Sequence, residues 1–346
     1  MEKIKLTEYS KGAGCGCKIA PSVLQEILKS TEDFPMDERL IVGNESNDDA
    51  SVFDMGNDQL LVSTTDFFMP VVDDAYMFGK ISAANALSDI YAMGGNPLTA
   101  LAILGWPIDK LPSGEAHQIL EGARFICRIA GISIAGGHSI ESSEPIFGLS
   151  VSGLVTKSSL KRNSTAREGD LVFLTKPVGN GVITTAAKRG IAAQEDLDTA
   201  ISYMCTLNRI GSALGGIESV HAMTDITGFG LAGHMIEMCE GSGLSAEIEF
   251  SKIPVYPFLS KYLDQFIYPD MTMKNYNFYS SKISTLNAQQ LFTLCDPQTS
   301  GGLLVAIGEA DVNEYIALCK AFGLPGYSTI PIGRFTAKQD VSLVVS

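Results

Sequence analysis

Leu60-Leu61-Val62-Ser63-Thr64-Thr65-Asp66, read together with the segment 79–93 that follows it, decides the fold class. The first is a β-rich run that delivers a carboxylate at its end. In the second, small and apolar residues recur at helical spacing, with Asn85 and Asp89 four apart on one face of an otherwise apolar helix. A carboxylate there is costly unless something pairs with it. Working outward, Gly56-Asn57-Asp58 predicts a hairpin before the strand, and 21–28 reads as a short amphipathic helix opened by a proline. Downstream, 98–104, 132–135 and 147–155 read as strands, and 114–131 as a helix. Helices mixed with hairpins predict α+β packing rather than a doubly wound parallel sheet.

The composition turns polar and basic over 157–170, with Lys161, Arg162 and Arg167, and a domain boundary is expected there. This divides the chain into a glycine-rich lead-in over 1–45, a first domain over 46–157 and a second over 170–346. The second is expected to open with a strand over 171–175 and to carry helices over 181–187, 197–214 and 229–240. Residues 254–279 are rich in aromatics, prolines and methionines and show no clear period.

With 346 residues the chain is long enough for two cores, and 45% hydrophobic residues can fill both. Lys plus Arg number 25 against Asp plus Glu 39, a formal charge of -14 that repels nucleic acid and anionic membranes. No stretch reads as a signal peptide or a membrane span, and the expected location is cytoplasmic. Seven cysteines, an odd number at scattered positions, suit a reducing compartment better than a disulfide framework. Cys127, Cys205, Cys239 and Cys319 fall in helix-like apolar patterns and read as core residues.

Chemistry is suggested first by Gly12-Ala13-Gly14-Cys15-Gly16-Cys17-Lys18. Alternate glycines leave little side chain to bury, and a thiol beside an ammonium ionises more readily than a free one. Three readings stand side by side: a nucleophile or soft-atom ligand, a plain N-terminal tail, and half a metal site, for which the sequence offers no second close Cys or His pair. Asp48 with Asp49, Asp66 and Asp89 are placed by different elements, and such a set suits Mg²⁺ carrying nucleotide phosphates as well as it suits separate caps and turns. Asp225, in Thr224-Asp225-Ile226-Thr227-Gly228-Phe229-Gly230, reads either as a further ligand or as a helix cap. Gly136-Gly137-His138-Ser139 offers backbone N–H groups and a hydroxyl just after a strand, suited to gripping an anion. Asp296-Pro297-Gln298-Thr299-Ser300-Gly301-Gly302 reads as a structural or interface turn. Neither a Walker A loop nor a dinucleotide fingerprint is present in the sequence. A bound nucleotide would therefore be held through carboxylates, metal and glycine turns, an arrangement sufficient for phosphoryl transfer.

These stretches, with Asn47-Asp48-Asp49-Ala50, Thr64-Thr65-Asp66-Phe67-Phe68 and Asn85-Ala86-Leu87-Ser88-Asp89, resemble the selenophosphate synthetase (selenide, water dikinase) family over nearly the whole chain. That family sits in the aminoimidazole ribonucleotide synthetase superfamily. The resemblance implies a two-domain α+β fold whose first-domain sheets join across a homodimer. It also implies conversion of ATP, selenide and water to selenophosphate, AMP and orthophosphate, for selenocysteine and selenouridine synthesis. Cys15 and Lys18 match the catalytic positions, with Lys18 also reaching the nucleotide. Asp49, Asp89 and Asp225 match the Mg²⁺ ligands. Ser46, Asn47, Asp48, Asp66, Asp89, Gly137, His138 and Ser139 match nucleotide-binding positions. A monovalent cation such as K⁺ is implied, as is selenium arriving free or from a selenocysteine lyase. The implied route is attack of selenide at the γ-phosphate, then hydrolysis of the bound diphosphate. One departure is Met271-Thr272-Met273-Lys274-Asn275, where the family carries a glycine-rich turn and Arg-Asn; a lysine grips an anion less specifically than an arginine fork.

Two other functions remain open from the sequence: a sibling ATP-using enzyme of the same superfamily, and a thiol-based selenium or metal carrier without turnover. The cysteine strip argues against the first and the carboxylate set against the second.

Overall fold

The computed structural model describes residues 4–10, 12–14, 16, 23, 26, 27, 37–43 and 48–346. Cys15, Cys17, Lys18, Ser46, Asn47 and most of 21–28 lie outside the described residues. The first sheet contains β1 (Leu40–Val42), β2 (Ser51–Gly56), β3 (Gln59–Phe68), β4 (Asn96–Trp106), β5 (Ile134–Glu141) and β6 (Ile146–Thr156). Their order is β1-β2-β3-β6-β4-β5, antiparallel except where β5 runs parallel to β4. The expected hairpin at residues 56–58 is present: Gly56, Asn57 and Asp58 all have positive φ, a conformation that short polar and glycine residues tolerate.

Along β3, Leu60, Val62 and Phe68 are buried on one face, and Thr64 and Asp66 share their parity. Against that face lies α1 (Ala75–Ala92), started by the Asp74 side chain, which accepts the Met77 N–H at 2.9 Å. α1 is buried nearly all round because it also packs on α2 (Ser113–Ile129) and on the second sheet. A methyl group on Gly79 would collide with the Ile119 carbonyl, and one on Gly122 with that of Tyr76. The two helices therefore cross in near backbone contact.

The second sheet holds β7 (Leu171–Leu174), β8 (Val220–Asp225), β9 (Ser245–Ile248), β10 (Leu303–Ile307), β11 (Gly333–Thr336) and β12 (Leu343–Val345), in the order β12-β9-β11-β7-β10-β8. β10 is buried at every residue: Leu304 and Ala306 enter one apolar core, Leu303, Val305 and Ile307 another. An unbroken apolar run is what such a doubly covered strand requires. The chain is thus α+β, as expected, with two separate sheets.

Helices α3 (Asn180–Lys188), α4 (Gln194–Met204), α5 (Ile210–Gly215) and α6 (Gly230–Ser242) accompany this sheet. The single helix expected over 197–214 is two, because residues 205–209 turn into the seam between the sheets, where the Asn208 amide donates to Ser88 Oγ (2.7 Å) and the Gly301 carbonyl (2.9 Å). The period missing from 254–279 is also explained. Two helices, α7 (Leu259–Leu263) and α8 (Asp270–Tyr279), flank a bend, and the aromatics pack on one another, with Tyr256 and Phe258 stacked at 5.1 Å. Cys127, Cys239 and Cys319 are buried as expected, whereas Cys205, at the end of α4, is partly exposed.

Candidate active site

Asp66 and Asp89 lie between β3 and α1, each 8% exposed. The Asn85 amide donates to Asp66 Oδ2 at 2.7 Å, and the Thr64 hydroxyl to Asp89 Oδ2 at 2.5 Å. The four-residue spacing of Asn85 and Asp89 thus has its physical reason: both meet alternate residues of β3. Asp48, at the approach to β2, accepts the Asn163 N–H at 2.8 Å and Arg162 Nε at 3.2 Å, with its side chain fully buried. Asp49 accepts the Thr224 hydroxyl at 2.7 Å on Oδ1; its Oδ2 is buried without a hydrogen-bond partner among the described residues. Burial, then the charges of Asp225 and Asp89, hold the Asp49 carboxyl well above the ordinary carboxylate range, against the Thr224 bond.

Asp225 ends β8 at 1% exposure. It is not the cap of α6, whose N-cap position is Phe229 without a side-chain cap bond. The turn after it is held by the Ile226 N–H on the Gly302 carbonyl (2.9 Å) and by the Thr227 N–H on His234 Nε2 (3.1 Å). Accepting on Nε2 leaves the His234 proton on Nδ1, 3.3 Å from Glu237 Oε2.

Two families match in sequence: "AIR synthase related protein, N-terminal domain" over residues 47–155 and its C-terminal domain counterpart over 167–346. The selenide, water dikinase of Aeromonas hydrophila subsp. hydrophila is 52% identical over 338 residues, 98% of this chain and 97% of that protein. That of Colwellia psychrerythraea is 52% identical over 337 residues, 97% of each. The chain belongs to the selenide, water dikinase family. The thiamine-monophosphate kinase of Stenotrophomonas maltophilia shares its fold, with a TM-score of 0.65 at 18% identity over 89% of this chain and 92% of that one.

On this dikinase-family fold, Asp48, Asp49, Asp89 and Asp225 come together at the seam between the two sheets, and Asp66 is tied to it through Asn85 and the Ser300 N–H. Gly137, His138 and Ser139 do not join them. They lie within β5 rather than in a turn after a strand, because the parallel pairing with β4 runs on through Ala102↔Gly137, Ile103↔His138 and Leu104↔Ser139. A side chain at Gly137 would strike the Ala102 carbonyl, which explains that glycine. β5 is the sheet edge, three strands from β3, or about 14 Å at ordinary strand spacing.

The described part of the glycine strip reaches both halves of the molecule. The Gly14 N–H donates to the Met69 carbonyl at 3.1 Å, and Lys188 Nζ to the carbonyls of Ser10 (2.7 Å) and Gly12 (3.1 Å). Lys274 lines a cavity of about 440 Å³ beside Gly12, Gly16 and Lys188. The turn at 296–302 is indeed structural and interfacial. Gln298 Oε1 accepts the N–H groups of Gly179 and Asn180, Asp296 that of Gly181, and the Ser300 N–H donates to Asn85 Oδ1 at 2.7 Å.

Sequence reasoning missed Arg162, Asn163 and Thr224. Thr224 adjoins Asp225 and could have been singled out by that; a basic residue in an expected linker gave no such signal for Arg162.

As a metal site the cluster is half built. Among the described residues, no three His, Cys, Asp or Glu side chains stand ready as a metal-ligating group. Yet Asp49 keeps a buried oxygen without a hydrogen bond, facing the charges of Asp89 and Asp225. Mg²⁺ binds through one or two carboxylates, water and substrate phosphates, so an open carboxylate set fits it.

Proposed function

We propose that the seam between the sheets is where this chain, acting as a selenide, water dikinase, binds ATP and converts it with selenide and water to selenophosphate, AMP and orthophosphate. The observation that carries this is the convergence of Asp49, Asp89 and Asp225 from both halves of an acidic protein, where the carboxyl of Asp49 is forced toward its neutral form. Such a cluster calls for cations, and Mg²⁺ would offset the phosphate charge there. Asp49, Asp89 and Asp225 would hold it; Asp48, Asp66 and Asp89, with Ser46 and Asn47, would line the nucleotide. A monovalent cation such as K⁺ belongs to the same reading.

Cys15 is the residue that receives or guides the soft selenium anion, with Lys18 on a phosphate. Lys188, bonded to Ser10 and Gly12, and Met69, bonded to Gly14, support a strip drawn over the seam. The assembly is a homodimer. Phe67 (50% exposed), Leu101 (48%) and Ile140 (60%) lie on the helix-free face of the first sheet, an apolar surface of the kind that pairs with a second copy. Gly137, His138 and Ser139 would then meet the nucleotide near that interface.

Phosphorus NMR under anaerobic conditions, with and without selenide, tests the reading. A selenide-dependent selenium–phosphorus signal with equal AMP and orthophosphate is expected. ADP without that signal would overturn it in favour of a sibling ATP-using enzyme. Full selenide-dependent turnover by Cys15→Ser would remove Cys15 from the chemistry.

A further inference from the structure

Lys176, just after β7, is 5% exposed, and its ammonium is spent on two backbone carbonyls, Thr206 at 2.7 Å and Ser300 at 3.0 Å. Burial pushes its pKa down to about 7, against the pull of Asp225. Packing alone would be better served by an apolar side chain, so a buried ammonium needs a reason. The reason lies in what its acceptor does next. Ser300 has a φ of 51°, a conformation a serine adopts only when its surroundings impose it. Its N–H donates to Asn85 Oδ1 at 2.7 Å, and Asn85 Nδ2 donates to Asp66 Oδ2 at 2.7 Å.

An asparagine amide can rotate by half a turn, exchanging donor for acceptor. The Ser300 N–H forbids this, since only Oδ1 can face it; the amide's donating end is thereby aimed at Asp66. Lys176 fixes the carbonyl of that same serine. Asn208 adds a parallel tie, from Gly301 to Ser88 one turn along α1.

We propose that Lys176 is a positioning residue for the nucleotide site: by holding the Ser300 carbonyl it keeps Asn85 in the orientation that donates to Asp66. This rests on the reading of Asp66 as a nucleotide-binding residue. Lys176 never touches the nucleotide. It acts from the second sheet, through the turn at 300, on a carboxylate of the first.

The test is a double-mutant cycle on ATP affinity, measured by calorimetry with Mg²⁺ present, with thermal unfolding followed in parallel. Lys176→Met is expected to unfold at the same or a higher temperature, because a buried charge is exchanged for an apolar chain of similar reach. Its ATP dissociation constant is expected to rise about tenfold. Asn85→Ala should lose a similar factor, and the double variant no more than the larger single loss. Unchanged affinity in Lys176→Met, lower stability with unchanged affinity, or losses that multiply would each overturn the proposal. Should Lys176→Met not fold, Lys176→Gln, which keeps an amide NH2 as donor without the charge, carries the same test with an intermediate loss expected. A wild-type chain that binds ATP without forming selenophosphate would overturn the dikinase reading and leave the cycle decisive for Lys176.

Discussion

The hydroxyl of Thr224, on the edge strand of the second sheet, donates to Asp49 of the first across 2.7 Å. It ties the two sheets at the point where Asp49 and Asp225 oppose one another. It also occupies one oxygen of Asp49, while the other is buried without a hydrogen bond among the described residues. Thr224→Val keeps the shape and removes the donor. Leaving a buried acceptor unmatched costs about 1–3 kcal/mol, so ATP affinity with Mg²⁺ is expected to fall roughly tenfold in calorimetry. An affinity within twofold of wild type would show that the bond does not orient Asp49 for the ligand.

Asp49→Asn and Asp89→Asn should move stability and activity in opposite directions. Asp49→Asn removes a carboxyl whose charged form is disfavoured by burial and by the charges of Asp225 and Asp89, and Asp89→Asn removes one of those charges. Thermal midpoints are expected to rise by roughly 2–5 °C in the absence of ligand. Selenophosphate formation should fall by about a hundredfold or more, as expected of residues whose cost to the fold is met by ligand. Variants that are less stable and still active would make the cluster structural.

Much of this arrangement was legible in the sequence because it rests on local patterns. The hairpin at 56–58 follows from three residues that tolerate positive φ, and the α+β class from hairpins mixed with helices. Asn85 and Asp89 betrayed themselves as polar residues on an apolar helix. What stayed hidden depends on contacts between distant segments. Arg162 sits in a polar stretch that reads as a linker, yet it reaches back to Asp48. Lys176 adjoins an apolar strand, and only the fold brings Ser300 to it. Gly136-Gly137-His138-Ser139 reads as a turn in sequence, yet it lies within β5, where Gly137 serves close strand pairing.

Arg162 pairs with Asp48 at 3.2 Å, and the Asp48 side chain is fully buried while that of Arg162 is 32% exposed. Removing the cation takes one charged partner from a buried carboxyl, a loss of several kcal/mol in a wholly buried pair. Partial solvent access to Arg162 and the remaining Asn163 N–H reduce that, and Arg162→Ala is expected to cost about 1–3 kcal/mol in urea unfolding. The double variant Arg162→Ala, Asp48→Asn should recover part of it. A single variant as stable as wild type would mean that Asp48 draws its stability from elsewhere.

Asp296, in the turn at 296–302, provides a pH signature. It is 0% exposed, and its Oδ2 accepts the Gly181 N–H at 2.9 Å and the Gln298 amide at 2.8 Å. Burial pushes its pKa from 3.8 up to about 8, with those bonds pulling the other way. Between these two values the folded chain retains a proton that the unfolded chain has released. Its contribution to stability is therefore full below about pH 4 and is lost as pH rises toward 8. Asp296→Asn carries no such proton and keeps an oxygen for the Gly181 N–H. The stability of wild type relative to Asp296→Asn, from urea unfolding, should fall by roughly 2–4 kcal/mol between pH 5 and pH 8, other titrations cancelling in the difference. A difference that stays constant with pH would mean that Asp296 folds as a carboxylate, and that the N–H groups at the start of α3 stabilise its charge more than burial disfavours it.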